Sequence, residues 1–187
     1  YDKVDNEIYL FEEKYFPNKI IINDKEQISV KYSYLFNETN NIVELYWERS
    51  IDKCREMFRR CVNITEIDVS NFDTSEVIDM TSMFVYCSSL TSINLTNFDT
   101  SKVKDMGFMF DGCSSLTSLD LSSFDTSQVT RMKEMFYNCN NLEYINMINF
   151  SDINLKEFPD IFKDTPDNIV ILINQENNGK IVPEIEN

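Results

Sequence analysis

The chain has 187 residues, which is enough for one domain or for one repeat array with end caps. Its formal net charge of −15 argues against binding to nucleic acid or to anionic lipid headgroups, since both need basic patches, and favours cationic or neutral partners. The chain has no histidine, so it lacks the commonest general base and the usual zinc ligand. It also has no apolar run of about 18 residues, so no segment is predicted to insert into a membrane.

Residues 1–45 differ from the rest of the chain and alternate in part like strands. The sequence begins at Tyr1 without a signal-peptide pattern, so we expect a longer protein whose targeting signal lies upstream. Residues 20–22 and 28–34 are predicted to form a hairpin, with a turn at Asn23 and Asp24. We expect a β-rich N-terminal cap, because a repeat array needs an element that covers its first unit. A separate small domain is the alternative.

Residues 46–174 are predicted to be an array with a period of 26 residues. Met-Phe pairs recur at 57/58, 83/84, 109/110 and 135/136, and cysteines recur at 61, 87, 113 and 139. A fixed period of this size is typical of a solenoid, in which each unit buries its apolar face against its neighbours. Residues 175–187 are then a C-terminal cap or tail.

Each unit is predicted to contain a short strand followed by a helix. Leu119 and Leu121 are two residues apart, as the inward face of a strand requires. From Val129 to Cys139 the apolar spacing becomes three to four, which indicates a helix of about three turns. The Asp-Thr-Ser at 125–127 offers N-cap side chains at the junction. We therefore expect an α/β repeat of about five strand–helix units, with parallel strands on one face and short helices on the other.

The cysteines are predicted to be buried and reduced. Four of them occupy one column of the repeat between apolar columns, and cysteine without a disulfide is among the most buried residue types. Cys54 and Cys61 would lie about 10 Å apart on the predicted helix, which is too far for a disulfide. No disulfide is therefore predicted.

One unit reads Met-Phe-x-x-Cys-Ser-Ser-Leu-Thr-Ser-Leu-Asp-Leu-Ser-x-Phe-Asp-Thr-Ser-x-Val. This motif resembles the BspA-like leucine-rich repeat and is similar to the mycoplasma surface-repeat domain of unknown function. The usual asparagine of leucine-rich repeats is replaced here by an aromatic column, at Phe72, Phe98, Phe124 and Phe150. The resemblance implies a leucine-rich-repeat solenoid on a cell surface or secreted, a role in adhesion, and no catalytic residues.

The outward-facing strand positions are the candidate ligand-binding residues, since they would line the concave face of a leucine-rich solenoid. They are Glu66, Asp68, Ser92, Asn94, Ser118, Asp120, Tyr144, Asn146 and Ile148. Tyr144 and Ile148 stand out because they are large among small neighbours. The alternative is that these residues are only solvated polar side chains that allow the units to stack.

Three other patterns have simpler explanations. A ladder of Asp73, Asp99 and Asp125 could suggest calcium, but capping of a helix or turn explains it, so no metal site is predicted. The column of Lys53, Asp79, Asp105 and Arg131 places opposite charges on neighbouring units, and we interpret it as a mark of register. Glycosylation sequons begin at Asn37, Asn63, Asn94 and Asn149, and Asn37 is the favoured acceptor if the protein is eukaryotic and secreted.

The predicted function is therefore non-enzymatic protein binding or adhesion at a cell surface or after secretion, without a cofactor. The expected partner is a host or matrix protein. The alternative is a structural subunit of a larger assembly, whose partners are assembly neighbours. No arrangement of residues supports an enzyme.

Overall fold

The structure is a computed structural model that describes residues 7–9, 17–29, 33–35, 41–48, 50–174, 176 and 179–185. Turns and short strands make up the described part of the chain, and α-helix is limited there to four residues near its end. The elements in order are β1 (Glu7–Tyr9), β2 (Lys19–Ile22), β3 (Lys25–Glu26), β4 (Ser33–Leu35), β5 (Val43–Tyr46), β6 (Glu66–Asp68), β7 (Ser92–Asn94), β8 (Ser118–Asp120), β9 (Tyr144–Met147), β10 (Val170–Ile173) and α1 (Val182–Ile185).

The N-terminal strands form two small antiparallel sheets, one of β1 with β4 and one in the order β3-β2-β5. The predicted turn is confirmed, since Asn23 and Asp24 have φ of 49° and 62° and join β2 to β3 as a two-residue hairpin turn requires. The predicted second strand is wrong in part. The strand that pairs with β2 in the hairpin is residues 25–26, which precede the predicted 28–34, whereas Ile28 is fully exposed and β4 pairs with β1. Residues 30–32 lie outside the described part.

The N-terminal segment contacts the repeats through the residues around β5. Leu45 and Trp47 pack against the core of the repeats, and the Trp47 ring lies 5.0 Å from the Phe72 ring, edge on. The aromatic column that begins at Phe72 is therefore extended by Trp47, which directly follows β5.

The repeat strands pair in parallel and in register, in two separate sheets. One sheet contains β6 and β7, and the other has the order β10-β9-β8. Ile67 pairs with Ile93, and Leu119 pairs with Ile145, so the partners are one 26-residue period apart. Side chains alternate between the core and solvent, because successive residues of a strand point to opposite faces.

The predicted α/β leucine-rich-repeat solenoid of strand–helix units is wrong. The segments predicted to be helical are runs of turns, and the sheets are small and separate. These runs of turns contain residues with positive φ, and an α-helix needs negative φ throughout, so the runs are not helices. Positive φ recurs every fourth residue within a unit, at Glu56 and Arg60, Ser82 and Tyr86, Phe108 and Gly112, and Glu134 and Asn138.

Alternate backbone N–H groups serve two purposes in these turns. In the unit that begins at Met80, the N–H groups of residues 83, 85 and 87 close turns onto the carbonyls of residues 80, 82 and 84. The intervening N–H groups, at 80, 82, 84 and 86, donate at 2.7–2.9 Å to the carbonyls of residues 105, 107, 109 and 111 in the next unit. We call this second set of bonds the turn ladder. It links each unit to the next, where a helix would bond within itself.

The core contains two columns of stacked aromatic rings. The predicted column at Phe72, Phe98, Phe124 and Phe150 is confirmed, with centroid separations of 6.2–6.4 Å. A second column contains Phe58, Phe84, Phe110, Phe136 and Phe162, with separations of 5.4–5.9 Å. Aromatic pairs contribute about 0.5–1.5 kcal/mol each beyond the burial of their surface. Both columns therefore favour the same register as the turn ladder.

All five cysteines are buried, as predicted. The Sγ atoms of Cys87, Cys113 and Cys139 each donate to a phenylalanine carbonyl of the preceding unit, at 3.0–3.2 Å. Burial raises the pKa of Cys54 and of Cys139 to about 12, so these thiols stay protonated at neutral pH.

The last described residues fold back onto the repeats. Ile181 is buried, and the Lys180 Nζ donates to the carbonyls of Asp152, Ile153 and Leu155 at 2.8–3.1 Å. The Oδ2 of Asp152 accepts hydrogen bonds from the N–H groups of Lys180 and Ile181, at 2.6 and 3.1 Å. The segment is thereby fixed to the end of the array.

Replacement of Lys180 by methionine is expected to lower the free energy of unfolding by about 2 kcal/mol, since hydrogen bonds from a charged donor to three carbonyls are lost. The matched control is Lys102→Met, which removes an exposed ion pair with Glu76 at 2.6 Å and should cost less than about 1 kcal/mol. Urea unfolding of both variants measures the difference. Equal losses would show that the segment does not stabilise the array.

Asp111 is a buried acidic residue of the central units. Among the described residues, it is the one whose carboxyl group has a buried oxygen without a hydrogen-bond partner. Its side chain is 4% exposed and its Oδ1 has no hydrogen-bond partner there. Burial and, next, the charge of Glu134 raise the pKa of Asp111 to about 6. Because the folded-state pKa lies above the unfolded one, the ionised form destabilises the fold, and this penalty disappears as pH falls through about 6 toward about 4.

Asp111→Asn should therefore stabilise the protein by about 1–3 kcal/mol at pH 8 and by almost nothing at pH 4. Chemical unfolding of both proteins across this range measures the difference. Subtracting one curve from the other removes the effect of the other carboxylates. A difference that does not change with pH would contradict the burial of an ionisable group at this position.

Candidate functional site

The outward residues of the five repeat strands form two side-chain columns, which we call the strand face. The first column contains Glu66, Ser92, Ser118, Tyr144 and Val170, and the second contains Asp68, Asn94, Asp120, Asn146 and Leu172. Within β6–β7 and within β8–β10, neighbours in a column are paired residues of adjacent parallel strands. Side chains in one column are therefore about 5 Å apart within each sheet.

The structure places the nine predicted ligand residues on or beside this face. Seven are exposed, whereas Asn146 and Ile148 are half-buried. They fall into two groups, because β7 and β8 are not paired with each other. The prediction that these residues bind a ligand stays a prediction.

The second column also has a structural task that the sequence analysis missed. In four of the five units the Oδ1 of an Asp or Asn accepts the N–H two residues on, at 2.9–3.2 Å, as for Asp68 with Ser70 and Asn94 with Thr96. Such an Asx turn ends the strand. The hydrogen bond from the Ser70 backbone is the main reason why the pKa of Asp68 lies below its usual value. Asp and Asn serve equally in this turn, so the charge of Asp68 and Asp120 is not required by the fold.

Two residues of the strand face were missed by the sequence analysis. Val170 is 59% exposed and Leu172 is 44% exposed, and they pair with Tyr144 and Asn146. Together with Tyr144, which is 39% exposed, they form what we call the apolar end. The period of 26 would have found them, since they follow Tyr144 and Asn146 by one repeat.

The strand face changes in character along the array. Its three carboxylates, Glu66, Asp68 and Asp120, lie on β6 and β8, and none of its ten residues is basic. The small polar residues of β7 and β8 lie between β6 and the apolar end. The face is therefore acidic at one end and apolar at the other.

The ladder of Asp73, Asp99 and Asp125 is explained by turns. Each Oδ1 accepts the N–H of the serine two residues on, at 2.9–3.0 Å. The hydroxyl groups of Ser75 and Ser101 also donate to Asp73 and Asp99, and these bonds hold the pKa of both carboxyls below the usual value. No helix follows, so the N-cap role predicted for residues 125–127 is wrong, and the alternative explanation of the ladder, capping of a turn, is confirmed. No group of three metal-ligating side chains was found among the described residues.

The charged column connects neighbouring units, although not always as predicted. Arg131 pairs with Asp105 at 3.3 Å and with Glu157 at 2.9 Å, whereas Asp79 pairs with Arg55 at 3.8 Å. These exposed pairs contribute about 0–1 kcal/mol each. They agree with the register of the repeats.

The sequons differ in accessibility. Asn63 and Asn94 are exposed, the Nδ2 of Asn149 donates to the Ser122 carbonyl at 2.6 Å, and Asn37 lies outside the described residues.

In the part of the chain that the structure describes, no helix is long and apolar enough to cross a membrane.

Comparison with known proteins gives one family. A family profile described as "Mycoplasma protein of unknown function, DUF285" matches residues 52–169, the region of the repeats. No curated protein and no solved structure matches the chain. Because the match covers more than half of its length, the chain belongs to the DUF285 family.

Proposed function

We propose that this chain is a non-enzymatic binding module that engages a protein partner through the strand face. The observation that supports this most strongly is the apolar end, where Tyr144, Val170 and Leu172 lie exposed on adjacent strands. Exposed apolar side chains that form a group, with polar residues around them, are typical of protein interaction sites. Aromatic residues such as Tyr144 often dominate the energy of such sites.

The chemistry of the rest of the chain supports a binding role over catalysis. The cysteine thiols are buried, and burial raises the pKa of Cys54, Cys113 and Cys139, so these three are poor nucleophiles. The repeated aspartates accept hydrogen bonds from their own turns, which explains their recurrence without a reaction. The carboxyl group of Asp111 is buried and belongs to a run of turns instead of a strand.

The repeat motif supports a location at a cell surface or outside the cell. Its similarity to BspA-like repeats favours adhesion to a host or matrix protein. The alternative, a structural subunit of an assembly, draws support from β10, which lies at the edge of its sheet among the described strands. Unpaired strand edges readily pair with another chain.

The test is binding of the chain to a panel of immobilised matrix and serum proteins. A variant with Tyr144→Ser, Val170→Ser and Leu172→Asn should bind its target at least about tenfold more weakly, because it removes the apolar anchors. Each new residue already occurs in the same column of another unit, so the melting temperature should not fall.

The matched control is Ile153→Ser, which changes a side chain that is 72% exposed but lies outside the strand face. This variant should bind like the unaltered protein. Equal binding by all three proteins would place the site elsewhere. A chain that binds no panel member but assembles with itself in light scattering would favour the assembly subunit.

A further inference from the structure

We propose that the partner of the strand face is a basic protein segment that crosses the strands and places an apolar side chain on the apolar end. This inference rests on the proposed function and names the chemistry of the partner. Its basis is the polarity of the face, which is acidic on β6 and β8 and apolar on β9 and β10.

The acidic part of the face is formed by three carboxylates. Glu66 and Asp68 are both exposed on β6, Asp120 is exposed on β8, and no basic residue occurs in either column. The Oδ1 of Asp120 closes an Asx turn, and Asp68 accepts hydrogen bonds from Ser70 and from the Asn94 side chain. These donors are neutral, so they do not balance the negative charge of the face. The net charge of −15 adds a long-range attraction for cations and repels anionic surfaces.

The apolar end supplies an anchor of different chemistry. Val170 and Tyr144 are paired neighbours in the first column, and Leu172 lies beside them in the second. An apolar side chain of the partner that covers these residues removes their exposed surface from water, which stabilises the complex. The carboxylates of the acidic part then determine the direction in which the partner lies.

The distances limit the length of the segment. Adjacent strands are about 4.8 Å apart within each of the two sheets. Between the sheets the units of β7 and β8 are still stacked, with the Phe98 and Phe124 rings 6.2 Å apart. β6 and β10 are therefore separated by roughly 20 Å. An extended peptide advances about 3.3 Å per residue. The basic residues and the apolar anchor should therefore be separated by about four to six residues.

Pairing of the strand face with that of a second copy is disfavoured by the same charges. A second copy would bring three further carboxylates and no cation to the contact. Like charges placed opposite one another oppose association. A basic segment neutralises the carboxylates instead.

The test selects twelve-residue peptides from a random display library on the intact chain and on two variants. The charge variant is Glu66→Ser with Asp68→Asn and Asp120→Asn, and the apolar variant is Tyr144→Ser with Val170→Ser and Leu172→Asn. Every replacement is a residue of the same column in another unit, and Asn retains the Asx turn. Circular dichroism and melting curves check that all three proteins are equally folded.

The unaltered chain is expected to enrich peptides with Lys or Arg and with an aromatic or aliphatic residue about four to six positions away. The charge variant should lose the basic preference and the apolar variant the apolar preference. A selected peptide should bind the charge variant about tenfold more weakly in fluorescence anisotropy, and this difference should shrink in high salt.

The possible failures are distinguishable. Peptides that lose affinity for both variants but carry no excess of basic residues would overturn the basic partner and leave the strand face as the binding site. If the selected peptides bind all three proteins equally, or if no peptide is enriched on the unaltered chain, the proposed function is overturned together with this inference.

Discussion

Phe110→Ala is expected to lower the free energy of unfolding by about 3–5 kcal/mol. Phe110 is fully buried, and its ring stacks on Phe84 at 5.5 Å and on Phe136 at 5.9 Å. Truncation leaves a cavity between two units that the stacked backbones cannot fill, because the turn ladder determines their separation. The loss therefore includes both the transfer of the ring and the cavity.

The matched control is Phe162→Ala, at the end of the same column. Phe162 is 8% exposed, and Phe136 is its ring neighbour among the described residues, at 5.4 Å. We expect a smaller loss, about 2–3 kcal/mol, because one stacked contact is removed instead of two. Equilibrium unfolding in urea measures both variants. A loss at Phe110 no larger than that at Phe162 would contradict a continuous ring column.

Gly112→Ala is expected to destabilise the protein by about 1–3 kcal/mol. Gly112 has φ of 72°, and a Cβ at this position would lie 2.4 Å from Cδ1 of the Tyr86 ring. The equivalent residues of other units, Tyr86 and Asn138, also have positive φ, so most of the cost should come from the clash. If residues 106–113 were a helix, the same substitution would stabilise it by up to about 1 kcal/mol.

A double mutant separates the two causes of this cost. Tyr86→Ala with Gly112→Ala removes the ring, so the second substitution should cost much less than it does alone. Gly179→Ala is the neutral comparison, because no atom lies within 4 Å of a Cβ there. Thermal and urea unfolding measure four variants, which are Gly112→Ala, Tyr86→Ala, the double mutant and Gly179→Ala. A stabilising effect of Gly112→Ala would contradict the turns.

The period of 26 residues was sufficient to predict which side chains stack. The columns of Phe72 and Cys87, and the parallel pairing of Ile67 with Ile93, follow from placing equivalent residues of successive units in contact. The period required only that each unit repeat the one before it. It did not depend on the backbone conformation within a unit.

The backbone conformation was not predictable in the same way. Met80, Met83, Phe84 and Cys87 have the spacing of a helix, but consecutive turns bring the same four side chains into the core. The decisive residues are Ser82 and Tyr86, which have positive φ although neither is glycine or asparagine. The contacts with the next unit stabilise this conformation, and the local sequence does not reveal it.

The strand face was predicted incompletely for a related reason. Asp68 was assigned to ligand binding from its outward position, whereas its bond to the Ser70 N–H also gives it a role in the turn. Val170 and Leu172 were not chosen because the regular motif ends before them. Their pairing with β9 shows that the last strand continues the same face.

The most direct test of stacked turns is the hydrogen-bond partner of a single amide. Scalar couplings across hydrogen bonds, measured by NMR on isotope-labelled protein, identify the carbonyl that accepts each N–H. The Phe84 N–H should couple to the carbonyl of Met109 in the next unit, since their N···O distance is 2.9 Å. Coupling to the carbonyl of Met80, four residues earlier as in an α-helix, would contradict the structure proposed for every unit.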